Sequence, residues 1–266
     1  MEHSSSSRLL LDDKLDVGRP REDEAFCAVG GNELVARLSA SSRSRLLDSC
    51  ETVPLNKGQI LYDRGMPLRY AYFIDSGGCS VTTRAGDCLP VEIHTLGMKD
   101  FVGVPLVLGM HVSPHRCSVR MRGQALRIPS EQLIPLIKRD VEIEKLLLGY
   151  VQATLIHSAQ LSACNARHSL HQRLARWLLV ASDRFGSLEV PFTHSYIANA
   201  LAVRRAGVTV ALGNMVREGV IGCWRAGLVV MDPTRLKTMS CDCQSIILAA
   251  HNRPCPVPPL RVAYSR

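Results

Sequence analysis

The chain has 266 residues, 46% of them hydrophobic, 21% charged and 5% aromatic, which suits a globular protein with room for two cores and excludes a disordered or low-complexity chain. Its formal net charge of +8 favours a polyanionic partner, and its ten cysteines are scattered without a frame, which excludes a disulfide-built scaffold and points to reduced thiols packed as small hydrophobes. No apolar run approaches the roughly 20 residues a membrane-spanning helix needs, and the N-terminus lacks an apolar core of signal-peptide length, so a cytoplasmic protein without a membrane partner is expected.

Residues 1–30 are serine-rich and polar with no sustained period, and read as a flexible leader. A modest amphipathic helix is expected between Asn32 and Cys50, with Leu34, Leu38, Leu46 and Leu47 as its apolar positions. From Val53 to Ile128 short apolar runs alternate with Gly, Pro and Asp at close spacing, the pattern of an antiparallel sandwich or barrel. Asp63-Arg64-Gly65 and Ala85-Gly86-Asp87 read as hairpin tips.

Helical period returns at Ser130-Glu131, and a long helix is predicted from about Asp140. Along it Ile143, Leu147, Val151, Leu155 and Ala159 recur at i+4, with Leu148 and Ile156 beside them. That is more apolar surface than one neighbouring sheet covers. The expected interface with a second copy is therefore Leu147, Leu148, Val151, Leu155 and Ala159; burial within the protomer is the plainer alternative.

Ser169-x-x-Gln172 is a capping box that opens a helix through Leu174, Trp177 and Leu178, ended by Phe185-Gly186. The stretch Phe192–Gly222 then reads as two short helices joined by a tight turn. Thr193 caps the first, whose apolar face is Ile197, Ala198 and Leu201. Ala202-Val203 is the turn, and Arg204-Arg205 opens a second helix with Val208, Leu212, Met215 and Val216 inward, ending near Gly219. A helix-turn-helix sets the first side chains of its second helix against base edges in the major groove, where an arginine can donate twice to O6 and N7 of guanine. Two strands around Arg225-Ala226-Gly227 follow as a wing, with Arg225 placed to reach a phosphate. Between Cys164 and Ser240 ten Lys or Arg stand against four acids, so this segment carries +6 of the +8. Beyond His251 four prolines predict an extended, mobile tail.

Tyr72-Phe73-Ile74 before Ser76-Gly77, Phe101-Val102-Gly103, Arg173-Leu174-Ala175-Arg176-Trp177-Leu178 and Ala202-Val203-Arg204-Arg205-Ala206-Gly207-Val208-Thr209 occur in an order and at separations that resemble the Crp/Fnr family of bacterial transcription regulators. The resemblance covers about Val53 to Cys243. It implies an α+β chain: an N-terminal antiparallel β-roll of the cyclic-nucleotide-binding type (a cupin-like jelly roll), a long central dimerisation helix and a C-terminal winged helix-turn-helix. The implied division is a leader to residue 30, the roll over 31–139, the long helix over 140–164, the DNA-binding domain over 165–243 and a flexible tail over 244–266. The implied partners are double-stranded DNA with two-fold symmetry, a second copy of the chain and RNA polymerase.

By position, Arg205 matches the family's base-reading arginine, Thr193 its phosphate-contacting cap and Arg204 a flanking contact; Thr209 and Arg225 complete the expected DNA-binding set. Two departures stand out. The acid that follows the base-reading arginine in many members is Ala206, and the turn glycine is Ala202, a change worth up to about 1 kcal/mol if that position needs φ > 0.

In members that bind a cyclic nucleotide, a glutamate after the Phe-x-Gly stretch accepts from the ribose and a downstream arginine pairs with the phosphate. The corresponding candidates here are Phe101, Gly103, Val104 and Arg116, with His115 an alternative for the arginine position. Valine at the carboxylate position leaves the ribose hydroxyl unpaired and argues against cAMP; another small ligand stays open. Only Cys27 and Cys50 precede the roll, which argues against the oxygen-sensing iron–sulfur cluster of one branch. Cys241-x-Cys243, with His251 and Cys255 nearby, departs from usual zinc spacing and reads as partly buried thiols, so no metal is expected. His94, His111 and His115 raise a metal-dependent cupin-like enzyme, but no nucleophile, base or metal triad is arranged and no enzyme is expected. A C-terminal domain that contacts protein rather than DNA is the competing reading, and the Arg204-Arg205 pair and the local charge weigh against it.

Overall fold

The computed structural model describes residues 31–84, 86–224 and 227–252. The helix expected over 32–50 is two pieces, a single 3-10 turn Val35–Arg37 and α1 (Ala40–Leu47). The break comes at Ser39, whose hydroxyl accepts from the Ser42 amide and starts a new helix. Leu34, Leu38 and Leu46 are buried as expected, whereas Leu47 is exposed.

The roll contains β1 (Glu51–Leu55), β2 (Ile60–Tyr62), β3 (Tyr70–Ile74), β4 (Gly78–Thr83), β5 (Val91–Leu96), β6 (Phe101–Val102), α2 (Val104–Val107), β7 (Arg116–Met121) and β8 (Gly123–Pro129). They form two four-stranded antiparallel sheets, β1-β8-β3-β6 and β2-β7-β4-β5. The run Tyr70–Ile74 is apolar throughout because β3 is covered on both faces. Tyr72 and Ile74 point between the sheets with Val81, Val102 and Val119. Ala71 and Phe73 point the other way, towards the helices, with Phe101, Ile128, Leu133, Ile143 and Leu147. Ala85, one residue of the second predicted hairpin tip, lies outside the described residues.

After α3 (Ser130–Arg139), Asp140 accepts from the Glu142 and Ile143 amides and opens α4 (Val141–Arg167), 27 residues long. α5 (Leu170–Phe185) begins with the predicted Ser169/Gln172 capping box and stops at Gly186, which has φ 61°. Then come β9 (Glu189–Val190), α6 (His194–Ala200), α7 (Arg205–Arg217), β10 (Ile221–Trp224), β11 (Gly227–Val230) and α8 (Pro233–Met239). The wing sheet has the order β10-β11-β9.

Part of the expected flexible tail over 244–266 is ordered: Cys243–Asn252 form α9, packed along α4 and α5. Ile247 and His251 of this helix are buried, and that burial is why the segment is helical up to the prolines. Residues 1–30 and 253–266, the leader and the rest of the tail, lie outside the described residues.

α5 and α6 dock on the roll through β5. At Gly97 the backbone of α5 comes so close that a Cβ would meet the Arg184 carbonyl oxygen, so only glycine fits this approach.

Candidate nucleic-acid interface

The two helices of the motif are held by local rules. The Thr193 hydroxyl accepts from the Tyr196 amide at 3.2 Å and caps α6. Ile197, Ala198 and Leu201 are buried as predicted. The turn is closed by Val203 N–H to the Ala198 carbonyl at 2.9 Å, with Ala202 at φ 53°, the left-handed conformation that the family's glycine adopts without strain. Across from it, Val208, Leu212 and Met215 bury one stripe of α7, whereas Val216, expected inward, is exposed because it lies about 80° round the helix from Val208.

The opposite face of α7 is open to solvent. Arg204 (the N-cap), Arg205, Ala206, Thr209 and Val210 are all exposed, and among the described residues neither arginine makes an ion pair. The Thr209 hydroxyl is 3.1 Å from the Arg205 carbonyl oxygen and 3.1 Å from His194 Nδ1, which fixes its direction. His194 and Val210 were not singled out by the sequence. Val210 is 65% exposed, an isolated apolar group one turn beyond Ala206, and the i+4 spacing from that residue is the signal that would have found it. Arg225 at the wing tip lies outside the described residues, although the strands on either side pair as expected, Ile221 with Val230 and Trp224 with Gly227.

The apolar row expected to form the subunit contact divides. Leu147 and Val151 are buried inside the protomer, Leu147 in the core shared with the roll, and offer nothing to a partner. Leu148 (45% exposed), Leu155 (64%) and Ala159 face solvent, with Ile156 beside them. The division follows from helix geometry. A row taken at i+4 drifts about 40° around the helix per step, so Leu147 and Leu155 lie on different faces, whereas Leu148 and Leu155, seven apart, stay in line.

Of the effector candidates, Phe101, Gly103 and Val104 lie together, and Arg116 does not share a cavity with them. Phe101 is buried with its ring 4.9 Å from Phe73 and 6.2 Å from Tyr150. Gly103 has φ 151°, and a Cβ there would meet the Phe101 ring at 2.7 Å and Ala71 at 2.9 Å. Val104 opens α2. Arg116 is on β7, exposed, with its guanidinium paired to both oxygens of Asp63 at 2.8 and 2.7 Å. The hydrogen bonds from Arg116 hold the Asp63 carboxyl below its ordinary range. The cavity beside Arg116 measures about 30 Å³ and is lined by Arg64, Thr82, Thr83, Arg84 and Pro90, none of the other three candidates among them. Small-molecule pockets run from about 300 Å³ upward.

Two polar clusters, one half-buried and one fully buried, join the roll to the DNA-binding half. Glu92 on β5 accepts from Ser80 Oγ and Thr95 Oγ1 within the roll at 2.6 Å each, and from Trp177 Nε1 at 2.8 Å and Tyr196 Oη at 2.5 Å across the contact. Further in, Asp100 accepts from the Gly97 amide at 2.8 Å and Tyr150 Oη at 3.1 Å and lies 3.2 Å from Arg184, both charged side chains 1% exposed. Burial pushes the Asp100 carboxyl up against the pull of Arg184. It also pushes His94 down to about 4, His251 down to about 2 and His157 well below the usual imidazole range. His94 and His157 face each other with Nδ1 atoms 3.3 Å apart. Of the three histidines considered for a metal-dependent roll, His94 is buried, His115 half-buried and His111 exposed, and burial lowers the pKa of the first two.

A cyclic nucleotide-binding domain profile matches residues 52–140 and a Crp-like helix-turn-helix domain profile matches residues 172–239, together more than half of the chain. Among solved structures, a Crp/Fnr-family regulator from Eubacterium rectale ATCC 33656 is 20% identical with TM-score 0.60, covering 77% of this chain and 96% of its own. FixK2 from Bradyrhizobium japonicum is 16% identical with TM-score 0.59, covering 72% and 98%. A Crp/Fnr-family regulator from Thermus thermophilus is 21% identical with TM-score 0.59, covering 71% and 98%. At these identities the likeness is one of fold. No curated protein sequence matches the chain. Among the described residues no helix is long and apolar enough to cross a membrane.

Proposed function

We propose that this chain, which belongs to the Crp/Fnr family of transcription regulators, reads a two-fold symmetric duplex DNA site as a homodimer and does so without cAMP. The observation that carries the reading is the open N-terminal end of α7, where Arg204 and Arg205 stand exposed without an ion pair among the described residues. In the major groove Arg205 would donate to guanine O6 and N7. Thr193 and Arg204 would hold the backbone, Val210 would meet a thymine methyl, and Thr209 would be oriented by His194. Arg225 of the wing is assigned a phosphate from its sequence position alone.

The exposed line Leu148, Leu155 and Ala159 supports pairing of two copies along α4. That would present two α7 helices to successive grooves about 34 Å apart. RNA polymerase is the partner such a regulator would meet at a promoter. Independence from cAMP is supported by Val104 in place of a ribose acceptor, by Arg116 being taken up by Asp63 and by the small cavity beside it.

The test is selection of bound fragments from randomised duplex DNA, followed by affinity against salt. Neutralising Z phosphates gives a log–log slope near about −0.9Z. A steep slope with an inverted repeat recovered without cAMP is expected. A flat slope with no enriched sequence would favour a C-terminal domain that contacts protein.

A further inference from the structure

Four metal-ligand side chains from distant parts of the sequence meet where α4 ends. Cys164 and His168 stand one turn apart at the C-terminus of α4, Cys241 lies between α8 and α9, and Cys243 opens α9. One ligand atom from each lies within 4.8 Å of all the others. Cys164 Sγ is 3.6 Å from Cys241 Sγ, and Cys243 Sγ is 3.5 Å from His168 Nδ1. A tetrahedral ion bonded at about 2.3 Å to sulfur and about 2.0 Å to nitrogen sets its donors about 3.8 Å apart for two sulfurs and about 3.5 Å for sulfur and nitrogen. The measured edges match one ion. They are too short for an iron–sulfur cluster, which holds its cysteines around a body of several metal and sulfide atoms.

The surroundings supply the charge and the hydrogen bonds that such a site requires. Three thiolates, a neutral imidazole and a divalent ion sum to one negative charge. Arg176 on α5, 3% exposed, is close enough to Cys164 to favour its thiolate electrostatically, has no hydrogen-bond partner at Nε and makes no ion pair with a carboxylate among the described residues. A metal–thiolate centre of net negative charge would supply the counter-charge that this guanidinium lacks among the described residues. Gln160 Nε2 donates to Cys243 Sγ at 3.1 Å, a bond of the kind that orients a coordinating sulfur. The three cysteines are buried and His168 is half-buried.

We propose that Cys164, His168, Cys241 and Cys243 bind one zinc-class ion, a borderline-soft divalent cation, in a closed tetrahedral site. With all four positions supplied by protein, the ion is structural rather than catalytic. It ties the end of the long helix to the α8–α9 junction and so fixes the DNA-binding half relative to the helix on which subunits would pair. The partners differ from those the sequence suggested: His251 sits instead beside Asp100 and Tyr150, and Cys255 lies outside the described residues.

The test uses the full chain purified under reducing conditions without chelator. Elemental analysis is expected to find about one zinc per chain. Cobalt substituted into the chelator-treated protein is expected to give thiolate-to-metal charge-transfer bands and the intense visible bands of tetrahedral coordination, bleached by zinc. Cys243→Ser is expected to weaken zinc binding roughly 100-fold or more, whereas His168→Cys, which keeps four soft donors, retains it. Should the variants fail to fold, the cobalt spectrum of the unaltered chain decides. Weak octahedral cobalt bands, an iron–sulfur chromophore, zinc content unchanged by Cys164→Ser, or a metal-free protein with Cys164 and Cys241 joined as a disulfide would each overturn the proposal.

Discussion

Arg116 in the roll and Arg205 on α7 are the same side chain in opposite circumstances. Arg116 is matched by both oxygens of Asp63, and Arg127 on the other sheet is matched by Glu51. The roll neutralises these cations itself. Arg204 and Arg205 have no such partner among the described residues, and the first turn of α7 contains no acid. They also sit at the positive end of a helix dipole, where a cation is unfavourable by about 0.3–1 kcal/mol and an acid is preferred. An arrangement that works against the isolated helix makes sense if a polyanion completes it. The contrast separates two ion-paired arginines of the roll from two arginines of α7 that stand open to an external partner.

The largest effect expected from breaking this contrast is at the scaffold that would pair two open halves. Leu155→Glu, at a position 64% exposed, leaves the protomer folded but sets like charges across the dimer axis, at about 3–5 kcal/mol for an uncompensated buried charge. Sedimentation should show monomers that retain the native circular dichroism. Leu147→Glu, fully buried in the core shared with the roll, should instead unfold that core. Identical behaviour of the two variants would refute the division of α4 into an inward and an outward face.

Next in size, acid should break the buried contact between the roll and the helices packed on it. His94, His157 and His251 are held neutral, with Arg184, Arg176, Asp100, Tyr150, Arg37 and His115 as their charged or titratable neighbours. Their folded pKa values lie below the unfolded value of about 6.5, so the unfolded chain binds protons first as pH falls. Stability is then full above pH ~6.5 and declines towards pH 4, by up to about 1.4 kcal/mol per pH unit for each histidine. Asp100, displaced upward, works in the opposite direction, one group against three. Denaturant midpoints that stay level between pH 7 and 5 would mean the histidines are solvated.

The smallest expected effect is at the turn. Ala202→Gly relieves a left-handed alanine at φ 53° and should stabilise the DNA-binding half by up to about 1 kcal/mol, read as a rise in melting temperature with DNA selectivity unchanged. A drop in stability would show that the turn gains more from the Ala202 methyl than it loses to strain.

What the sequence displayed was local. The capping box at Ser169, the cap at Thr193, the wing strands and the glycine-broken roll follow from residues a few positions apart, and each formed as read. The contacts that join the halves were invisible because their partners are remote. Glu92 meets Trp177 and Tyr196 at separations of 85 and 104 residues, and Cys164 meets Cys241 at 77. A Cys-x-Cys pair has no recognisable partner until the fold carries the end of α4 beside it. The helix at Cys243–Asn252 is masked in the sequence by the prolines that follow it, although Ile247 and His251 stand four apart on one face. The α4 row was half legible, since an i+4 pattern identifies a helix but does not stay on one side of it.

The measurement that bears most directly on the contrast between the two arginines is the affinity of Arg205→Ala for the selected duplex and for a random duplex of the same length, beside Arg116→Ala. Base reading from the head of α7 predicts a loss of about 1–3 kcal/mol on the selected site, a much smaller loss on the random one, and no change on either for Arg116→Ala. Equal losses on both duplexes, or a selected-site affinity that survives without Arg205, would contradict the assignment of base reading to that helix end.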